Sequence, residues 1–158
     1  MIDRFRSAVH RKFSHNMAAF IAFLHHIAAF TLVAALVVEF MLIREPLTPV
    51  TARRIRAADM VYGAAAGVVL IAGLLRVFYF EKGATFYFHN AAFIAKLVLF
   101  ILVALLSIYP TVKFLGWRKT LDPAGVPAIR RVLHLELVGV VLILLCAALM
   151  ARGIGYYG

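Results

Sequence analysis

Cysteine and charged side chains are scarce in this sequence, and each scarcity excludes a class of protein. One of the 158 residues is cysteine. A single thiol, Cys146, cannot make an intrachain disulfide or a cysteine zinc cage, and in an apolar run it packs as a small hydrophobe. Charged residues make up 15% of the chain, whereas an ordinary soluble domain has roughly a quarter. These scarcities argue against a disulfide-stapled secreted domain and an ordinary soluble domain.

Apolar side chains are abundant instead. They account for 65% of the residues, and the mean hydropathy is +0.96. A water-soluble chain of this length could not bury that much apolar surface in one core. Lipid must therefore cover part of it, so membrane lipid is the first expected partner.

The net charge of +10 comes from 17 Lys and Arg against 7 Asp and Glu. Such an excess can indicate nucleic-acid binding. Here the basic residues cluster between the apolar runs, where anionic lipid and the insertion bias account for them. We therefore expect no nucleic-acid partner.

Four apolar runs are long enough to cross a membrane, since about 20 residues span a hydrocarbon core of about 30 Å. They cover residues 17–43, 59–80, 91–109 and 132–151. Backbone polar groups must be paired inside lipid, so each run is a helix. Short connections with Pro and Gly then predict an all-α integral membrane protein: one domain, 17–158, folded as an up-down antiparallel bundle of four transmembrane helices.

The first 16 residues form a separate basic, amphipathic segment. Their apolar side chains recur at spacings of three and four, which favours a short helix lying in the interface; a disordered basic tail is the alternative. Basic residues flanking the first and third loops indicate that both loops are cytoplasmic and both termini outside. The basic N-terminal segment argues for the opposite orientation.

Ionisable residues inside spans are functional candidates by default, and here they form two layers. Side A denotes the membrane face at the start of the first span, and side B the other face. The side-A layer is cationic and contains His25, Arg76, His89 and Lys96. The side-B layer is mainly acidic and contains Glu39, Asp59, Tyr62, His134 and Glu136. Because His134 and Glu136 are two residues apart on a helix, one of them must face lipid, a neighbouring subunit or the interface.

The side-A layer has the composition of a haem site. Neutral imidazole is a common axial ligand of haem iron, and Arg or Lys suit the propionates. His25 is the preferred ligand because it shares a helix face with Glu39; a helix–helix hydrogen bond is the alternative. His26 points about 100° away and is expected to make an interhelical hydrogen bond. A site with two axial ligands would need His89 or Lys96 opposite His25; the alternative is a single axial ligand with an open position. His89 is equally well explained as an interfacial histidine.

Gly63 and Gly67 form a GxxxG pattern in the second span. This pattern predicts close helix packing, either within the bundle or between subunits. Together with the many small residues of the first two spans, it favours a homo-oligomer.

Five segments of the chain resemble a family of small bacterial membrane proteins known only as a domain of unknown function. They read FLHHIAAF, LVVEFMLIREPL, GLLRVFYFEKGATFYFHN, AKLVLFILVALLSIYPT and HLELVGVVLILLCAALMARG. The resemblance covers about residues 17 to 154. It implies a multi-pass protein of the bacterial inner membrane.

A more distant resemblance links the four-helix layout to HemJ-type protoporphyrinogen oxidases and to CopD-like copper-resistance membrane domains. The context of His25 in the first span and of Lys96 in the third is similar to the HemJ pattern. That resemblance implies that His25 is the axial ligand of a b-type haem, with Lys96 beside the porphyrin. The sequence departs from the pattern at Ile94, where HemJ proteins have histidine, and at His134-Leu135-Glu136, where they have Asn-Glu. The resemblance therefore supports haem binding more strongly than it supports protoporphyrinogen oxidation.

Three functions follow from these features. The first is a membrane b-type haem protein with a redox role, a possible oxidoreductase that exchanges electrons with a quinone or a porphyrin. The second is a cofactor-free transporter or channel-like oligomer with a polar path through Ser107 to the side-B layer. The third is an accessory subunit of a larger membrane complex.

Overall fold

The computed structural model describes residues 2–80 and 84–157, and every regular element in these two ranges is a helix. The elements, in chain order, are α1 (Ile2–Leu42), α2 (Pro49–Leu75), a π-helical turn (Arg76–Phe80), α3 (Ala84–Phe88), α4 (Ala91–Gly116), a 3₁₀ turn (Pro123–Gly125) and α5 (Val126–Ala151). Four stretches are long and apolar enough to cross a membrane: Asn16–Leu42, Pro49–Tyr79, Ala91–Gly116 and Pro123–Ala151. The predicted all-α, four-helix membrane architecture is confirmed.

The helices extend beyond the apolar runs that mark them in the sequence. Pro49 is the first residue of α2, whose N-cap Thr48 accepts a hydrogen bond from the Thr51 backbone N–H at 3.1 Å. Proline fits the first helical turn because the N–H groups there have no intrahelical acceptor. Pro110 lies inside α4, which continues to Gly116. The helices therefore include polar residues at their ends as well as the apolar runs at their centres.

The first helix runs without interruption from Ile2 to Leu42. The backbone of the basic N-terminal segment is thus helical and continuous with the first span. Its predicted position in the membrane interface stays a prediction.

The four spans pair as two helical hairpins. Most interhelical contacts join α1 to α2 and α4 to α5, whereas α1 meets α5, and α2 meets α4, over much smaller areas. On α2, the buried residues Ala58, Ala65 and Ala72 recur every seven residues along one face of the helix. Such small residues let helix backbones approach closely. The gap between the two hairpins is therefore the loosest part of the fold.

The bundle is packed most tightly toward side B. Large side chains that are completely buried lie at that end, among them Ile55, Phe114, Ile129 and Leu133. Toward side A, the buried apolar cluster shrinks to Val77, Tyr87 and Phe93. The hairpins consequently leave space between them in the side-A half.

Candidate functional site

A cavity of about 180 Å³ lies between the two hairpins in the side-A half of the bundle. We call it the upper cavity. Three ionisable residues line it, His25 from α1, Arg76 from the π-helical turn and Lys96 from α4. The rest of its wall is almost entirely apolar and includes Ala29, Leu74, Val77, Tyr87, Phe93, Phe100, Ile143 and Met150. The structure thus brings together three of the four residues of the predicted side-A layer.

His25 is held in one orientation by α2. Its Nδ1 lies 3.0 Å from the carbonyl oxygen of Val69. A carbonyl oxygen only accepts, so Nδ1 carries the hydrogen, and in the neutral ring Nε2 keeps its lone pair. Gly73 makes this approach possible, because a Cβ there would lie 3.2 Å from Cε1 of His25. The predicted ligand therefore has the tautomer that metal-ligating histidines adopt.

His26 turns away from the cavity. Its side chain is exposed, and its Nδ1 lies 2.6 Å from the carbonyl oxygen of Ala22, one turn earlier in α1. The expected interhelical hydrogen bond is wrong: an exposed imidazole on a helix reaches its own backbone more easily than a neighbouring helix. His25 and His26, adjacent in sequence, thus have different environments.

Two cations share the cavity with His25. Arg76 and Lys96 are both half-buried, and both interact electrostatically with the imidazole. The Lys96 Nζ atom lies 5.5 Å from the centre of the Phe93 ring, within cation–π range. The upper cavity therefore combines apolar walls with positive charge, which suits a largely apolar ligand that carries acidic groups.

His89 lies outside the upper cavity. It is exposed, its Nδ1 is 2.7 Å from the carbonyl oxygen of Thr85, and its ring centre is 5.9 Å from that of Tyr157. The structure therefore places it, exposed, at the side-A end of the bundle. Of the two candidate second ligands, only Lys96 faces the cavity.

The residues after α5 close over this end of the bundle. The Tyr157 N–H donates to the carbonyl oxygen of His89 at 3.1 Å, and its hydroxyl donates to that of Phe88 at 3.0 Å. The Ala91 N–H donates to the carbonyl oxygen of Gly155 at 2.8 Å. Gly155 has a φ of 89°, a conformation that favours glycine. The chain end thus fixes the start of α4, and with it the side-A end of the cavity wall.

The predicted side-B layer also assembles, with one exception. Glu39, Asp59, Tyr62 and Glu136 come from α1, α2 and α5 and are all buried. His134 is exposed, with its ring centre 5.9 Å from that of Phe40. Of the pair two residues apart on α5, it is therefore the histidine that faces outward. The buried carboxyl groups Glu39, Asp59 and Glu136 are called the acidic layer below.

A second cavity of about 130 Å³ lies between the upper cavity and the acidic layer. We call it the lower cavity. It shares Ala29, Val69, Phe100, Ile143 and Leu144 with the wall of the upper cavity. Its polar lining consists of the hydroxyl groups of Tyr62, Ser107 and Thr111. The upper cavity, the lower cavity and the acidic layer therefore lie in this order along the bundle from side A to side B.

Thr111 is a site residue that the sequence reading missed. Its hydroxyl donates to Asp59 Oδ1 at 2.6 Å, which joins α4 to α2. It follows Pro110 and lies past the apolar run 91–109, so it resembles a loop residue. Its spacing of four from Ser107 was the available signal, because residues four apart share a helix face.

Comparison with known proteins agrees with this architecture. Residues 17–155 match the family model described as "Predicted membrane protein (DUF2214)". The chain belongs to this family. The DUF2214 match covers all four spans and both cavities, and it begins after the basic N-terminal segment. No curated protein and no solved structure matches the chain.

Proposed function

We propose that this DUF2214 protein is a membrane redox protein that binds a b-type haem between its two hairpins, with His25 as the axial ligand. The observation that carries the proposal is the environment of His25. Its Nδ1 is committed to the Val69 carbonyl oxygen, and the ring borders a cavity between the hairpins. This arrangement leaves Nε2 as the ring nitrogen for iron.

The residues around the cavity fit the chemistry of haem. Apolar and aromatic side chains suit the two faces of a porphyrin, and Arg76 and Lys96 suit its two propionates. A small-molecule site usually measures roughly 300–1,000 Å³. The upper cavity alone is smaller, and only together with the adjoining lower cavity does it reach the lower end of that range. The loose contact between the hairpins is where the ring would enter.

Bound haem would supply one-electron chemistry inside the membrane. The chain's own contribution would be to hold the iron through His25, to orient the ring through Arg76 and Lys96, and to exclude water with the apolar wall. A quinol or a porphyrinogen dissolved in the lipid is the class of electron donor that this position favours. We place the protein in the bacterial cytoplasmic membrane with both termini outside, as the basic loops indicate.

The test is an absorption spectrum of the protein purified in mild detergent from haem-replete cells. We expect a Soret band that is lost in His25→Ala and kept in His26→Ala. The second variant is a matched control, since it removes the neighbouring imidazole, which is exposed and bonded to its own helix. A colourless wild-type protein would refute haem binding. Full haem content in His25→Ala would refute the ligand assignment alone.

A cofactor-free transporter or channel-like oligomer is the second candidate function. It is favoured by the succession of two cavities and a buried acidic layer along the bundle axis. Flux of protons or a solute through reconstituted liposomes without added reductant would support it. Absence of flux together with a Soret band would favour the haem protein.

A further inference from the structure

The acidic layer has an unusual position for three carboxyl groups. Glu39 and Glu136 are each 1% exposed and Asp59 is 8% exposed, in the side-B half of three different spans. Groups that ionise are expensive inside a membrane and are kept there for function. The haem proposal makes no use of them.

The three carboxyl groups differ in their partners. Asp59 accepts a hydrogen bond from the Thr111 hydroxyl at 2.6 Å. In contrast, Oε1 of Glu39 is buried without a hydrogen-bond partner, and Glu136 interacts with the hydroxyl group of Tyr62. The unpartnered oxygen of Glu39, which is 1% exposed, indicates that something beyond the protein's own side chains occupies the site.

The charges that surround the glutamates do not favour ionisation. The electrostatic neighbours of Glu39 are Asp59 and Glu136, and those of Glu136 include Asp59 and Tyr62. On α4, the Thr111 hydroxyl donates to Asp59 and the Ser107 hydroxyl interacts with Tyr62, and both groups are neutral. Over residues 2–80 and 84–157, neither glutamate forms an ion pair. Each would therefore be an unpaired charge beside other acids.

A metal ion is a poor occupant for this site. Among the residues that the structure describes, no three His, Cys, Asp or Glu side chains are arranged to hold one. A proton needs no such convergence. It converts an unpaired buried carboxylate, which costs far more than a neutral group, into a carboxylic acid that can donate a hydrogen bond.

We infer that the acidic layer is a proton-binding site in which Glu39 and Glu136 are protonated and Asp59 carries the single negative charge. Asp59 is the one that keeps its charge because it is the least buried of the three and the Thr111 hydroxyl donates to its carboxylate at 2.6 Å. Tyr62 and Thr111 also line the lower cavity, so the site borders the space that leads toward His25. Protons held here are placed to balance charge when electrons or cations move in the cavities. The inference does not depend on haem.

Infrared spectroscopy tests this directly, because the carbonyl stretch of a carboxylic acid is separate from the bands of a carboxylate. The full chain is purified at neutral pH in dodecyl maltoside, a detergent without a carbonyl group, with and without ¹³C-labelled glutamate. We expect a carboxylic-acid band that shifts with the glutamate label. It should weaken in Glu39→Gln and in Glu136→Gln, and disappear in the double variant. Glu45→Gln, which changes an exposed glutamate in the loop after α1, should leave it unchanged.

The outcomes separate this inference from the proposed function. No label-sensitive band in the wild-type protein means that the glutamates are ionised, and the inference is then wrong. The same holds if the band survives in the double variant. A carboxylic-acid band that shifts with ¹³C-aspartate would show that Asp59 does not carry the charge. A colourless protein with the glutamate band would refute haem binding and support the proton site. The wild-type spectra decide the point even if a variant fails to fold.

Discussion

The contact between α4 and α5 can be tested by adding one methyl group. Gly139 on α5 is buried against Val103 on α4, which is 8% exposed. A Cβ built on Gly139 would overlap the Cγ2 atom of Val103. Valine has one strongly preferred rotamer in a helix, so Val103 cannot simply turn away. Gly139→Ala should therefore push the two helices apart.

The expected size follows from two opposing effects. Inserting an extra methyl group into a packed core costs about 1–3 kcal/mol of unfolding free energy. Replacing glycine by alanine in a helix contributes up to about 1 kcal/mol in the other direction. Gly63→Ala is the matched control, because nothing lies within 4 Å of a Cβ at that position. The helix effect cancels between the two variants, so Gly139→Ala should be less stable than Gly63→Ala by about 1–3 kcal/mol.

Unfolding in mixed micelles, followed by circular dichroism, measures this difference. A double variant that combines Gly139→Ala with Val103→Ala tests the cause, because it removes the atom that the new methyl group meets. We expect the double variant to lose less stability than the sum of the two single changes. Equal stability of Gly139→Ala and Gly63→Ala would show that the close α4–α5 contact is absent, and the packing described here would be wrong.

Two further predictions concern the side-A end. Asn90→Ala should lower the free energy of unfolding by about 0.5–2 kcal/mol. Asn90 is fully buried, and its Oδ1 caps α4 by accepting a hydrogen bond from the Phe93 N–H at 3.1 Å. In the same assay, Asn16→Ala, which changes an exposed asparagine, should cause no loss of stability. Gly73→Ala should displace the His25 ring, which a new Cβ would meet at 3.2 Å, and so reduce haem content relative to Gly67→Ala, where nothing lies within 4 Å. An unchanged Soret intensity in Gly73→Ala would contradict the close contact between the His25 ring and position 73.

The number of spans and the two polar layers were predictable because both depend on simple distances. An apolar run of about 20 residues has one structure in lipid, and the helical rise fixes the depth of each ionisable residue. His25 and Glu39 are fourteen residues apart, and both reach the inside of the bundle. Depth and helix face are thus properties of a single helix.

Features that depend on two helices were not predictable. The GxxxG pattern at Gly63 and Gly67 predicts close packing, yet within the bundle nothing lies within 4 Å of either position. The small residues buried on α2 are alanines instead, and the most crowded glycine is Gly139, which belongs to no such pattern. The partner of Asp59, Thr111, likewise depends on how α4 is rotated against α2. Relative rotation and separation of helices are set by all the side chains in the interface at once.

The division into two hairpins has a consequence for assembly in the membrane. Each hairpin can enter the bilayer as a complete unit, since most interhelical contacts lie within the hairpins. The cavities between them exist only after the halves have docked. A molecule bound there would contact both hairpins. By mass action it would stabilise the docked form, and this stabilisation would increase with the concentration of the molecule. Ligand binding would then be the last step of maturation. The ligand-free form would separate into its two hairpins more readily and would be the better substrate for quality-control proteases.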